Sequence, residues 1–338
     1  MREVAGMDGP DEGTFSWCSL WPMLPPVLPL LGAAALLQFL APAGMTPEAF
    51  AKSLLGGEGL AARHLGGRLS YSAVVYIHLA VCAGAVFFFW EQIQGAGEAA
   101  RRRVGIAVAV EALVVLGSLA ALSRAGLAAY DLTYFNIRAL FAKAAAGMDF
   151  LESALWPGFS KLAAAVFVPT AFGVVAVIAA AGAASLAMRG LPGESPERFR
   201  DRIQQLQQSF LFLSAVLVSS TLAASFFFHL PAEMFAFAAK SAQKGALLDY
   251  ARGLTLFWGA VYTLTLLAVY VPPALILRER MRAFARERDG KRTPSEYRSW
   301  LTEHKLAFSI KESLGNVLAL LAPLIAGPVG SILQALAK

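Results

Sequence analysis

The chain has 338 residues, 57% of them hydrophobic and 15% charged, against roughly 45–50% and about 25% in an ordinary soluble domain. With a mean hydropathy of +0.57, this composition excludes a disordered chain, a nucleic-acid-binding tail protein and a disulfide-stapled module. The net charge of +6 is informative only through where the basic residues lie.

A helix crossing a hydrocarbon core of about 30 Å needs roughly 20 mainly apolar residues. Six runs qualify: 22–41, 72–90, 104–122, 163–188, 209–229 and 254–277. Runs of that length cross lipid only as helices, because every backbone polar group must be satisfied within the segment. The expected fold is all-α, a polytopic membrane protein of six transmembrane helices grouped as three hairpins.

The first run opens on Pro25, Pro26 and Pro29, which delay its helix, and Trp17 and Trp21 anchor it. Residues 1–14 carry one arginine against four acids, the wrong charge to precede a signal peptide, so the run is read as a retained span. The second holds His78, about two turns from its outer end. The third holds Glu111, about two turns from its inner end, with Gly105 and Ala109 as a smooth packing face. At 1.5 Å per residue, His78 and Glu111 differ in depth by roughly 10 Å, so a proton relay between them needs intermediaries. Ionisable groups at such depth are costly and read first as functional.

The fourth run offers a stripe of small residues, Gly173, Ala176, Ala180 and Ala184, for close helix approach. Ser195-Pro196-Glu197 starts a polar helix leading straight into the fifth run. There Ser214, Thr221 and Ser225 share a face that ends near His229 at the outer rim. They either line a water-filled path or bond back to their own helix. Pro231 with Glu233 then opens a further helical turn, much as Thr46-Pro47-Glu48 does after the first span. In the sixth run Thr255, Gly259, Tyr262 and Thr265 form a comparable face, and Pro272-Pro273 kinks the inner end.

Beyond the sixth run, 278–312 is a basic helical segment, with Thr293-Pro294-Ser295-Glu296 as a capping box ahead of Trp300, Leu301 and Leu306. It is expected to lie against anionic lipid headgroups. The last segment, 313–338, is apolar but broken by Pro323, Gly327, Pro328 and Gly330. It is interfacial, re-entrant or a seventh span. The chain thus divides into a membrane domain over 1–277, the basic segment and this tail.

Lysine and arginine set the orientation. The connections 91–103, 189–208 and 278–298 hold 15 basic residues in 54, whereas 42–71, 123–162 and 230–253 hold 10 in 94. The first set and the N-terminus therefore face the cytoplasm, in what reads as a bacterial inner membrane.

No catalytic or cofactor motif stands up. Gly57-Glu58-Gly59 opens a dinucleotide-like pattern without the strand it requires, and the four histidines are too scattered to share a metal. No enzyme activity, cofactor or nucleic-acid partner is expected. The polar faces favour an oligomeric channel or pore-forming effector, with homo-oligomers in the bilayer. A secondary transporter and a membrane scaffold are the alternatives. The candidate residues are Glu111, His78, Ser214, Thr221, Ser225, His229 and Tyr262.

Overall fold

A computed structural model of the chain describes residues 60–96, 98–125, 156–188, 195–238, 241–288, 293–306, 321–326 and 329. Side chains within 60–65, 68, 118–125, 156–167 and 231–247 are not described. The first expected span, the Thr46 turn, the 123–155 stretch and most of the C-terminal tail lie outside these residues.

The described residues are helical, with no strand among them. The helices are α1 (Leu60–Gln94), α2 (Glu98–Ala125), α3 (Trp156–Ala187), α4 (Pro196–Ala238), α5 (Ser241–Arg288) and α6 (Pro294–Glu303). Four of them, α1, α3, α4 and α5, contain stretches long and apolar enough to cross a membrane. α2 is helical where the third span is expected, with Glu98, Arg101, Arg102 and Arg103 in its opening turns.

Two helices run well past the expected spans. α4 has 43 residues, about 65 Å at 1.5 Å per residue. Its start is the anticipated one: the Arg198 amide donates to Ser195 Oγ at 3.4 Å, with proline at the first helical position. Its end is not. Pro231 does not open a new helix, because α4 continues through it to Ala238; a long helix held along its sides tolerates the single amide that proline removes. α5 has 48 residues and is likewise helical through Pro272 and Pro273. It crosses Leu277 into the basic segment without a break.

Contacts fix the relative directions. Phe88 stacks on Phe212 with ring centroids 4.7 Å apart, and Tyr71 meets Phe227 at 5.7 Å, so α1 and α4 are antiparallel. Phe210 meets Tyr270 at 4.4 Å and Phe199 meets Phe284 at 5.4 Å, making α4 antiparallel to α5 as well. α3 lies against α1, α2 and α4, and α4 touches α1, α3 and α5.

Small residues set how closely α3 approaches its neighbours. Gly173, Ala176, Ala180 and Ala184 are all buried, as their spacing predicts. Gly182 is tighter still: a Cβ there would stand 2.6 Å from the Phe89 ring and 2.8 Å from Val108 Cγ2, so α1 and α2 both close onto its backbone. The Gly105/Ala109 face departs from expectation. Nothing lies within 4 Å of a Cβ built on Gly105, and Ala109 is exposed. α2 instead turns Val104 and Val108 towards the aromatic core made by Phe88, Phe89 and Ala183.

One end of the bundle carries the basic residues. There the start of α4, the end of α5 and α6 form an aromatic core of Phe199, Met281, Ala285, Trp300 and Leu306. Trp300 is 1% exposed, flanked by His304 at 4.8 Å and Phe284 at 6.1 Å. The capping box exists as predicted: Thr293 Oγ1 accepts from the Glu296 amide, and the Glu296 carboxylate accepts from the Thr293 amide at 2.9 Å. The Arg200 guanidinium donates to the His304 carbonyl at 2.9 Å, and Arg280 donates to the Met188 carbonyl. The apolar face of α6 therefore covers helix ends rather than facing outward.

Candidate functional site

The other half of the bundle holds a cavity of about 310 Å³ to which all five long helices contribute. α1 supplies Tyr71 and His78, α2 Glu111, α4 Ser220, and α5 Tyr262 and Thr265. α3 forms a further wall around Pro169 and Gly173. Three residues singled out from sequence, His78, Glu111 and Tyr262, thus share one space. The depth difference inferred for His78 and Glu111 is accommodated by the cavity's extent rather than by a direct bond.

Glu111 gets there by helical spacing. Val104, Val108, Glu111 and Val115 recur at four, three and four residues and make one stripe. Val108 is in the core while Glu111 and Val115 line the cavity. Glu111 is exposed, placing its carboxylate on the open side.

His78 is 2% exposed and clasped by three helices. Its Nε2 donates to the Pro169 carbonyl at 3.2 Å, and its Nδ1 pairs with Ser219 Oγ at 2.8 Å. Cys82, one turn on, places its sulfur 3.5 Å from Nε2. Gly173 makes the arrangement feasible, since a Cβ there would lie 3.2 Å from His78 Nε2.

Proton counting around His78 is informative. Ser219 Oγ also lies 2.9 Å from the Val216 carbonyl, which accepts from Ser220 Oγ at 2.8 Å as well. With a neutral ring, the Ser219 hydroxyl turns to donate to Nδ1, and Val216 keeps the Ser220 bond. With a charged ring, Nδ1–H donates to Ser219, whose own proton goes to Val216. A hydroxyl carries one donor and two acceptor positions, so both protonation states are fully bonded by one rotation of Ser219.

The other predicted residues lie elsewhere. Ser214, Thr221, Ser225 and His229 are buried, at 5%, 0%, 0% and 5% exposure, and none lines the cavity. Thr221 donates to the Leu217 carbonyl at 2.9 Å, and His229 Nδ1 to the Ser225 carbonyl at 2.7 Å. Of the two uses anticipated for this face, the described bonds of Thr221 and His229 are to their own helix. The cavity is served by the adjacent face, Leu217, Ser220 and Ala224. Among the described residues no group of three or more metal-ligating side chains occurs.

Compared with known proteins, the sequence matches no family model, and neither a curated protein nor a solved structure matches it.

Proposed function

We propose that this is a six-span protein of a bacterial cytoplasmic membrane, with its N-terminus in the cytoplasm, that carries a small solute through the cavity of a single chain. The observation that carries the reading is that Glu111 and His78, from separate helices, line one cavity. Secondary transporters place solute and coupling-ion sites within the bilayer between helices, often beside proline-interrupted segments. Here Pro169 stands at the cavity wall inside α3, which stays helical through it.

His78 is the proton site in this reading, since its two protonation states are both satisfied. The groups around it are few among the described residues. Cys82 faces it from its own helix, α3 presents Pro169 and Gly173 with Thr170 beside them, α4 presents Ser219, and Glu111 and Tyr262 line the same cavity.

The oligomeric pore draws less support, because the hydroxyl face that recommended it is buried within one chain. At the basic end, exposed arginines such as Arg278, Arg286 and Arg298 suit anionic headgroups.

The test uses full-length protein in sealed proteoliposomes with an entrapped pH dye, challenged with small cationic, neutral and anionic solutes in turn. One class is expected to drive proton movement, and His78→Gln is expected to uncouple it. Failure of every class to move protons, together with discrete conductance in planar bilayers, would replace the carrier with the pore.

A further inference from the structure

Two of the cavity's hydroxyls present acceptors to it. Ser220 spends its hydroxyl proton on the Val216 carbonyl and Thr265 spends its own on the Val261 carbonyl at 2.9 Å, so each turns lone pairs to the space. Glu111 adds a carboxylate, which only accepts when ionised. Among the described residues no lysine or arginine lines the cavity. Its aromatic wall is Tyr71, Phe227 and Phe228, with Tyr262 opposite on α5. Ring faces carry negative potential and attract cations.

A cavity with one carboxylate, two hydroxyls whose protons are already spent and aromatic walls discriminates by charge. An anion would meet the Glu111 carboxylate and ring faces, with His78 the only cationisable side chain among the described lining residues and both its nitrogens already engaged. A protonated amine brings N–H donors to Glu111, Ser220 and Thr265 and lays its apolar body on the rings. The volume, about 310 Å³, is at the small end of ligand sites and suits a body about the size of one phenyl ring.

We infer that the cavity is a binding site for a small amphiphilic monoamine in its ammonium form, with Glu111 as counter-ion and Tyr71, Phe227 and Tyr262 as the ring wall. The inference rests on the carrier reading for its biological sense, but binding is separable from transport.

Isothermal titration of purified full-length protein in detergent, against protein-free micelles, tests it with three probes of one shape: 2-phenylethylammonium, 2-phenylethanol and 3-phenylpropanoate. The ammonium is expected to bind saturably, and the alcohol and carboxylate about tenfold more weakly or not at all, the usual worth of one charge-assisted contact. Glu111→Gln is expected to reduce ammonium affinity about tenfold. Glu111 is exposed, so this variant removes no core contact. Thr265→Val, on a different helix, provides an independent second loss of several-fold. Glu98→Gln, exposed on α2 away from the cavity, should change nothing. Equal binding of the alcohol, or unchanged binding in Glu111→Gln, overturns the inference. Ammonium binding without any solute flux would keep this site and reject the carrier. Flux of an anion without ammonium binding would do the reverse.

Discussion

The two halves of the bundle are held in different ways. At the basic end, apolar and aromatic side chains fill the space: Trp300 is 1% exposed, Phe199 is 1% exposed and Ala285 is fully covered. In the cavity half, the same helices separate enough to leave about 310 Å³, and polar contacts such as His78 to Pro169 and Ser219 stand beside the Tyr71–Phe227 ring contact. Filling favours a single arrangement, whereas a hydroxyl with two acceptors in reach has two arrangements of similar energy. Stability is concentrated at one end and adjustability at the other.

The comparison breaks most directly at Trp300. Trp300→Ala removes the largest fully buried side chain of the basic end and is expected to cost about 3–5 kcal/mol there. It should appear as faster hydrogen exchange across α6 and the end of α5, while ligand binding in the cavity stays intact. Equal loosening of both halves would show that they are not separate units.

Gly173→Ala probes the opposite half. Its Cβ would press on His78 Nε2 from 3.2 Å, so the ring must shift and the bond to Pro169 lengthen. Overpacking of this kind costs about 1–3 kcal/mol. Histidine NMR shifts should change, and proton coupling should fall more than thermal stability. An unaltered histidine signal would mean that the clasp is looser than its distances indicate.

The smallest effect belongs to Tyr297. Burial pushes its hydroxyl above the ordinary tyrosine range, Arg282 and Arg278 partly oppose this, and Glu279 adds to it. A value raised by folding means stability that is present below about pH 10 and is lost as pH rises through the folded-state value. Tyr297→Phe should remove this alkaline limb, followed by Trp300 fluorescence against pH. The hydroxyl lacks a hydrogen-bond partner, so the variant should otherwise be neutral. A parent protein with no such alkaline loss would contradict the buried placement.

Much of this was legible in the sequence because it is local. The Thr293 capping box, the Ser195-Pro196-Glu197 start and the small-residue stripe of α3 depend on residues within a few positions of one another, and each is found. Pro231 misled because proline is a breaker by local rules, whereas the backbone of α4 stays helical through it to Ala238. The cavity was only half legible. His78, Glu111 and Tyr262 stood out as polar groups in apolar runs, but which hydroxyl of α4 reaches His78 depends on register between helices. Ser214, Thr221 and Ser225 have the more regular spacing, yet Ser219 and Ser220 make the contacts. The one local clue was Gly173, four residues after Pro169, which leaves that carbonyl open to a side chain from another helix.

The unbroken length of α4 has a mechanical meaning. Ser219, which turns with the protonation of His78, and Phe199, which is packed against Phe284, stand twenty positions apart on one rod, about 30 Å at 1.5 Å per residue. A stiff rod seated in a tight socket at one end and against an adjustable clasp at the other behaves as a lever. Whatever the cavity does to α4, the basic end is placed to feel as a movement of the rod, with its own packing kept.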